Sequence, residues 1–169
     1  MTILPCVAGP AGVRHGSARL STSLYSGFLT FRLDLASALL TERANAVYRE
    51  RWGLDVRALR VLRLVCTETG ITPKAISQRA LIEKTLLSKT LAELEARGLI
   101  GRDIHAQDRR SVALSGTPEG VKVAQASAKV GAALETDLSA ALTPGERKTL
   151  ERLLEKLSDS LLESATSAT

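Results

Sequence analysis

The sequence predicts a mainly α-helical fold carrying one small β-hairpin, in the order four helices, hairpin, two helices. Three observations predict it. Leu, Ala, Val and Ile recur at intervals of three and four through most of the chain, the period of helices buried along one face. Residues 99–104 and 111–115 break that period: they alternate apolar and polar side chains and flank the polar run HAQDRR, as the two strands of a hairpin do. The punctuation is also regular. Gly53, Gly70 and Gly98 close helices, while Thr72-Pro73, Thr117-Pro118 and Thr143-Pro144 open them. Thr supplies a capping oxygen, and Pro is tolerated at the first helical position because its missing N–H has no intrahelical partner there anyway.

A chain of 169 residues suits one domain, or one small domain with helical extensions. Hydrophobic residues make up 44% of it but aromatic ones only 3%, so its core must be aliphatic. The formal charge of +5 permits a polyanionic partner. Cys6 and Cys66 form no framework, and reduced thiols of a cytoplasmic protein are expected. Residues 1–20 lack the charged start and continuous apolar core of a signal peptide. No apolar run approaches the roughly 18 residues that a membrane span needs.

The elements follow in order. Residues 1–23 hold Pro, Gly and Ser without periodicity and are expected to form an N-terminal extension. A long helix over about 26–51 repeats Leu33, Ala36, Leu40, Ala44 and Tyr48 along one face. The second, about 56–68, has Asp55 to cap it and Leu59, Leu62 and Val65 as its inner stripe, with Arg57, Arg60 and Arg63 away from the stripe's centre. A short third helix covers about 73–79 and a fourth about 83–97. The fifth starts at Thr117-Pro118 and runs past Leu138. Thr143-Pro144-Gly145-Glu146 fits a capping box. The last helix carries Leu150, Leu153, Leu154, Leu157 and Leu161 as a continuous stripe. The first and last helices present more apolar surface than a small central domain can cover, so a second copy of the chain is the expected cover.

The chemistry concentrates in residues 72–114. At 100° per residue, Leu87, Leu91 and Leu94 fall on one side of the fourth helix, and Lys84, Thr85, Ser88, Lys89 and Ala92 on another. Two cations, two hydroxyls and one small residue form the kind of face that enters a major groove: long donors for phosphates or guanine edges, short groups for close approach. The short helix before it makes a helix-turn-helix, with Lys74, Ser77 and Gln78 placed to meet the DNA backbone. Residues 72–110 hold eight basic residues, Arg102 among them, against five acidic ones, so the segment is locally more basic than the chain. Asp108, Arg109 and Arg110 lie at the hairpin tip. Adjacent arginines repel and do not help a turn to fold, whereas a narrow minor groove attracts such side chains. Asp108 can hold Arg110 extended.

These residues carry a resemblance. The runs LDVRALRVLRLV and ISQRALIEKTLLSKTLAELEARGLIGRDIHAQDRRSVALSGTPEG resemble the MarR family of bacterial winged helix-turn-helix regulators. The most specific parts are LAELEARGLIGR and DRRSVALSGTPEG. The resemblance implies a winged helix-turn-helix lobe plus N- and C-terminal dimerisation helices: an extension over 1–23, a first dimerisation helix over 24–53, the lobe over 54–116, C-terminal dimerisation helices over 117–163 and a tail over 164–169. It implies a homodimer on double-stranded operator DNA, with the fourth helix in the major groove and the wing in the minor groove. It places base contacts at Lys84, Thr85, Ser88 and Lys89, and the wing pair at Asp108 and Arg110. It also implies a probable repressor released by a small organic effector, an aromatic acid or a phenol. Phe28 and Arg32 could offer ring stacking and a carboxylate partner for such a molecule, with Tyr48 and Trp52 as further candidates. Two departures stand out: Leu81 where many members have Gly, and Leu114-Ser115-Gly116-Thr117 in place of the usual Leu-Thr entry to the fifth helix.

Other classes find less support in the sequence. His15 and His105 sit in a loose terminus and a turn, and no nucleophilic triad, carboxylate pair or phosphate loop is present, so no enzyme, cofactor or metal is expected. A winged helix used only for protein contacts would not need the basic tip or the Lys/Ser face. A thiol-oxidation sensor at Cys6 or Cys66 would need a cationic neighbour that the sequence does not show.

Overall fold

The computed structural model describes residues 27–104 and 112–167. The hairpin tip, including Asp108, Arg109 and Arg110, lies outside the described residues, as does the extension over 1–23. The elements are α1 (Leu29–Trp52), α2 (Val56–Thr67), α3 (Pro73–Ala80), α4 (Lys84–Ala96), β1 (Ile100–Ile104), β2 (Val112–Gly116), α5 (Pro118–Leu138) and α6 (Pro144–Ser167). This is the expected order of four helices, hairpin and two helices. The boundaries move by one to three residues, most at α1, which starts at Leu29 rather than at residue 26.

The chain divides into two compact units, residues 1–38 and 39–169. In the first, the described part is a short turn and the opening turns of α1. Phe28 stands just before that helix, 60% exposed.

The second unit is built around α2. Leu59, Leu62 and Val65 are buried as their spacing requires, joined by Ala58 and Val61. The helix packs against α3, α4, α5 and β2. Burying one Leu or Val side chain is worth about 1.5–3 kcal/mol, so this single helix supplies much of the drive for folding. Asp55 caps it as expected, its carboxylate accepting from the Ala58 N–H at 2.8 Å. In α4, Leu87, Leu91 and Leu94 face the same core. Thr90 is buried beside them and keeps its hydroxyl satisfied by donating to Leu86 O at 3.0 Å.

The two strands pair antiparallel, with Arg102 opposite Leu114. Ile71 adds a short bridge on the far side of β2, its carbonyl accepting from Leu114 N at 3.0 Å while Leu114 O accepts from Gly70 N at 2.9 Å. This clasp ties the start of the helix-turn-helix to the hairpin base. At the other end, Thr117 caps α5 through Gly120 N and also donates its hydroxyl to Gly98 O at 2.7 Å. Gly120 is required there, because a Cβ would stand 1.9 Å from Leu99 O. The expected capping box opens α6: Glu146 Oε2 accepts from Thr143 N at 2.8 Å, and the Glu146 N–H donates to Thr143 Oγ1 at 3.3 Å. Along α6, Leu150, Leu153, Leu154, Leu157 and Leu161 are all 37–62% exposed. No helix among the described residues is long and apolar enough to cross a membrane.

Candidate nucleic-acid interface and adjoining cavity

The helix-turn-helix is fastened by local hydrogen bonds that the sequence specifies. Thr72 Oγ1 accepts from Ala75 N at 3.3 Å and starts α3 at Pro73. At the other end the chain reverses through Leu81, at φ 52° and ψ 45°. Leu81 N and Ile82 N both donate to Ser77 O, so the left-handed residue and the one after it together close the end of α3. The Ser77 hydroxyl donates to Ile82 O at 2.7 Å. Ile82 then points into the core, 7% exposed, while Leu81 is 86% exposed.

Helix α4 is capped by Glu83, whose carboxylate accepts from Leu86 N at 3.1 Å. The backbone N–H groups of Thr85 and Leu86 hold that carboxyl below the ordinary glutamate range, with the Thr85 hydroxyl and Lys84 adding to the effect. A Glu in this position was not singled out from the sequence. The signal available was its place immediately before the polar face.

The structure brings Lys74, Ser77, Gln78, Lys84 and Ser88 together along one groove of about 480 Å³ between α3 and α4. Thr85 and Lys89 lie exposed on the same helix as Lys84 and Ser88. All seven residues expected on these two helices therefore sit on them, and five share a concavity. Ser77 differs in one respect, because its only hydroxyl proton is used inside the turn. Arg102 also differs from a free DNA contact: its Nε pairs with Glu95 Oε2 at 2.9 Å, joining the hairpin base to the last turn of α4. Asp108, Arg109 and Arg110 lie outside the described residues.

A second concavity, of about 650 Å³, opens between α1, α2 and α5. Tyr48, Arg60, Arg63, Gly131 and Glu135 are among the residues that line it. Arg63 dominates its chemistry. Its Nη2 donates to Ser127 O at 2.7 Å, its Nε to Ser127 Oγ at 3.2 Å, and Nη2 also reaches Tyr48 Oη at 3.5 Å. Its guanidinium carbon stands 5.9 Å from the centre of the Tyr48 ring. Ser127 is fully buried on α5, and its hydroxyl donates a hydrogen bond to Ala124 O at 3.0 Å. A guanidinium so held is oriented before any ligand arrives. Gly131 makes room for the pair, since a Cβ there would meet Tyr48 Oη at 2.7 Å.

Of the four ligand candidates from the sequence, Tyr48 lines this cavity. Trp52 packs against the core and against Tyr48, ring centres 6.0 Å apart. Phe28 and Arg32 belong to the unit that ends at Ala38. Arg63 was not among the candidates drawn from the sequence. The sequence showed only a cation beside an apolar stripe, and its partner Ser127 is 64 positions away. Burial pushes the Cys66 thiol above its ordinary pKa, the opposite of the shift that makes a thiol reactive.

Comparison with known proteins agrees with this architecture. Residues 52–111 match the MarR family. A Thauera aromatica protein, named as a transcriptional regulatory protein for the hcr operon on a provisional footing, is 34% identical over 100 residues, which is 57% of this chain and 58% of that protein's length. A mutant of MarR from E. coli complexed with operator DNA superposes with a TM-score of 0.70 at 24% identity, covering 76% of this chain and 92% of that one. The MepR–DNA complex of S. aureus gives a TM-score of 0.70 at 21% identity, covering 79% and 98%. Residues 52–111 thus carry the match to the MarR family, and the chain shares the winged helix-turn-helix fold of the solved MarR structures.

Proposed function

We propose that the protein is a transcriptional regulator that binds an inverted-repeat operator in double-stranded DNA as a homodimer. The observation that carries this reading is the groove between α3 and α4, where Lys74, Gln78, Lys84 and Ser88 converge beside an exposed Lys89. A face of cationic and hydroxyl donors, on a capped helix flanked by a hairpin, suits insertion into a major groove with flanking phosphate contacts. The relatives named above support it: the Thauera protein by its name, and the E. coli and S. aureus structures by the DNA that they are described with. Arg110 and Asp108 of the hairpin tip complete the reading from the sequence side, as the pair that meets the minor groove.

The exposed leucines of α6 support the dimer. Six exposed leucines on one helix would be an aggregation hazard in a monomer. A second copy laid against them removes that hazard and places two recognition helices about one helical turn of DNA apart. Domain roles follow as part of the same proposal: residues 54–116 read DNA, while 24–53 and 117–163 pair the copies.

The effector site of this proposal is the cavity at Arg63. An aromatic carboxylate of the benzoate class, or a phenol, matches a preset guanidinium beside a tyrosine ring in a cavity of about 650 Å³. Release from DNA on binding such a molecule would make the regulator a repressor, and ligand and DNA must then weaken each other reciprocally.

Duplex affinity measured against salt tests the DNA reading. Lys74, Lys84, Lys89 and Arg110 in two copies would neutralise about eight phosphates, so log affinity should fall against log salt with a slope of about −7. A flat response refutes it. Thermal shift with benzoates and phenols tests the effector arm, and an Arg63→Gln variant that keeps the wild-type shift removes Arg63 from it.

A further inference from the structure

Arg97 closes α4 and reaches away from the DNA-reading groove. Its Nη1 donates to Trp52 O at 3.1 Å and its Nη2 to Gly53 O at 2.9 Å. The same Nη2 pairs with Glu93 Oε1, one turn back on α4, at 2.8 Å. Trp52 is the last residue of α1, and Gly53 follows it at φ +63°. One carbonyl at the C-terminus of α1, that of Trp52, and the next along the chain, that of Gly53, are therefore satisfied here from another helix. The fit is close: a Cβ on Gly53 would stand 3.0 Å from Arg97 Nη1. The backbone of α4 packs chiefly on α2, α3 and β1, and this fork ties the recognition helix to the end of α1.

The tie does not stop at the backbone. The Trp52 ring stands 6.0 Å from that of Tyr48, and Tyr48 is the cavity-lining residue over which Arg63 is held. Cavity wall, Trp52, Arg97 and α4 form a contiguous series of side chains and hydrogen bonds. Physical contiguity is a condition for coupling two sites, though it does not by itself measure the coupling.

We infer that Arg97 is a positioning residue that fastens the recognition helix to the end of α1, so that DNA docking at α4 and occupancy of the Tyr48 cavity are each felt by the other through Trp52. The inference rests on the DNA-binding reading above. Lysine cannot replace Arg97 in this role. It keeps the charge but lacks the planar fork that reaches two carbonyls and a carboxylate at once.

Trp52 is the chain's single tryptophan, so its emission reports on the tie directly. The probe is a labelled duplex enriched by the protein itself from a randomised library, with binding followed by anisotropy and Trp52 emission recorded in the same titration. The wild-type protein should change its emission as the duplex binds. Arg97→Gln should still bind, roughly three- to thirtyfold more weakly, with the emission change lost. Arg97→Lys should regain affinity through its charge and still lack the emission change. Melting curves of both variants exclude a general loss of structure. A wild-type emission that ignores bound duplex, or an Arg97→Lys variant that responds as the wild type does, overturns the inference while leaving DNA binding in place. A library from which nothing is enriched overturns both.

Discussion

Replacing Leu81 by Gly should stabilise this protein, although removing a large apolar side chain ordinarily does the reverse. Leu81 sits at φ 52°, ψ 45° in the turn of the helix-turn-helix, where two N–H groups must converge on Ser77 O. A side chain with a Cβ costs about 1–2 kcal/mol in that left-handed region. Glycine avoids that cost but loses about 0.5–1 kcal/mol more conformational entropy on folding. The usual third contribution, lost burial, is almost absent because Leu81 is 86% exposed. The balance favours Leu81→Gly by about 0.5–1 kcal/mol, a rise of a few degrees in Tm for a chain of this size. Urea unfolding at fixed protein concentration should show a higher midpoint with an unchanged slope. Leu81→Ala should stay near the wild type, since it keeps the strained Cβ, and Leu81→Asn should recover part of the gain. A Leu81→Gly variant that unfolds at lower urea would refute the assignment of strain to this residue.

Gly120→Ala should cost about 3 kcal/mol or more, because the new methyl would lie 1.9 Å from the Leu99 carbonyl oxygen and either α5 or the hairpin base must move; an unchanged urea midpoint would contradict that close approach. Glu146 should make the start of α6 acid-sensitive. Hydrogen bonds from the Thr143 N–H and hydroxyl hold its folded pKa below the ordinary value of 4.5. Its contribution is therefore fully present above 4.5 and lost as pH falls through the lower folded value. Glu146→Gln should remove that dependence, and amide shifts of the first turn of α6 that titrate identically in both proteins would count against it. Leu157→Asp should shift the protein to monomer in sedimentation, since it places a charge in the middle of the α6 leucine stripe; a dimer that persists would exclude that stripe from the interface.

Much of the helix-turn-helix was legible without coordinates because its causes are local. The Thr72-Pro73 start, the Leu87/Leu91/Leu94 stripe and Gly98 each act within one or two helical turns. A helix places residues four apart side by side whatever surrounds it. Lys84 and Ser88 could therefore be put on one face by counting, and the groove between α3 and α4 contains both. Counting could not reach the cavity between α1, α2 and α5 in the same way. Phe28 and Arg32 offer ring stacking and a carboxylate partner, but such local chemistry carries no information about which distant helix comes near.

The amino-acid sequence by itself determined the order of elements, their caps and the polar face of α4, since periodicity, capping and turn chemistry are satisfied within a few residues. Only the tertiary structure decided that Arg63 meets Ser127 across 64 positions, that Arg97 meets Trp52 across 45, and that Ile71 bridges to Leu114. Each of these contacts depends on how helices and strands pack after they form. Arg63, Arg97 and Arg102 look alike in sequence, as cations on amphipathic elements, and packing gives each a different partner: a buried hydroxyl and carbonyl for Arg63, a helix end for Arg97, and a carboxylate for Arg102.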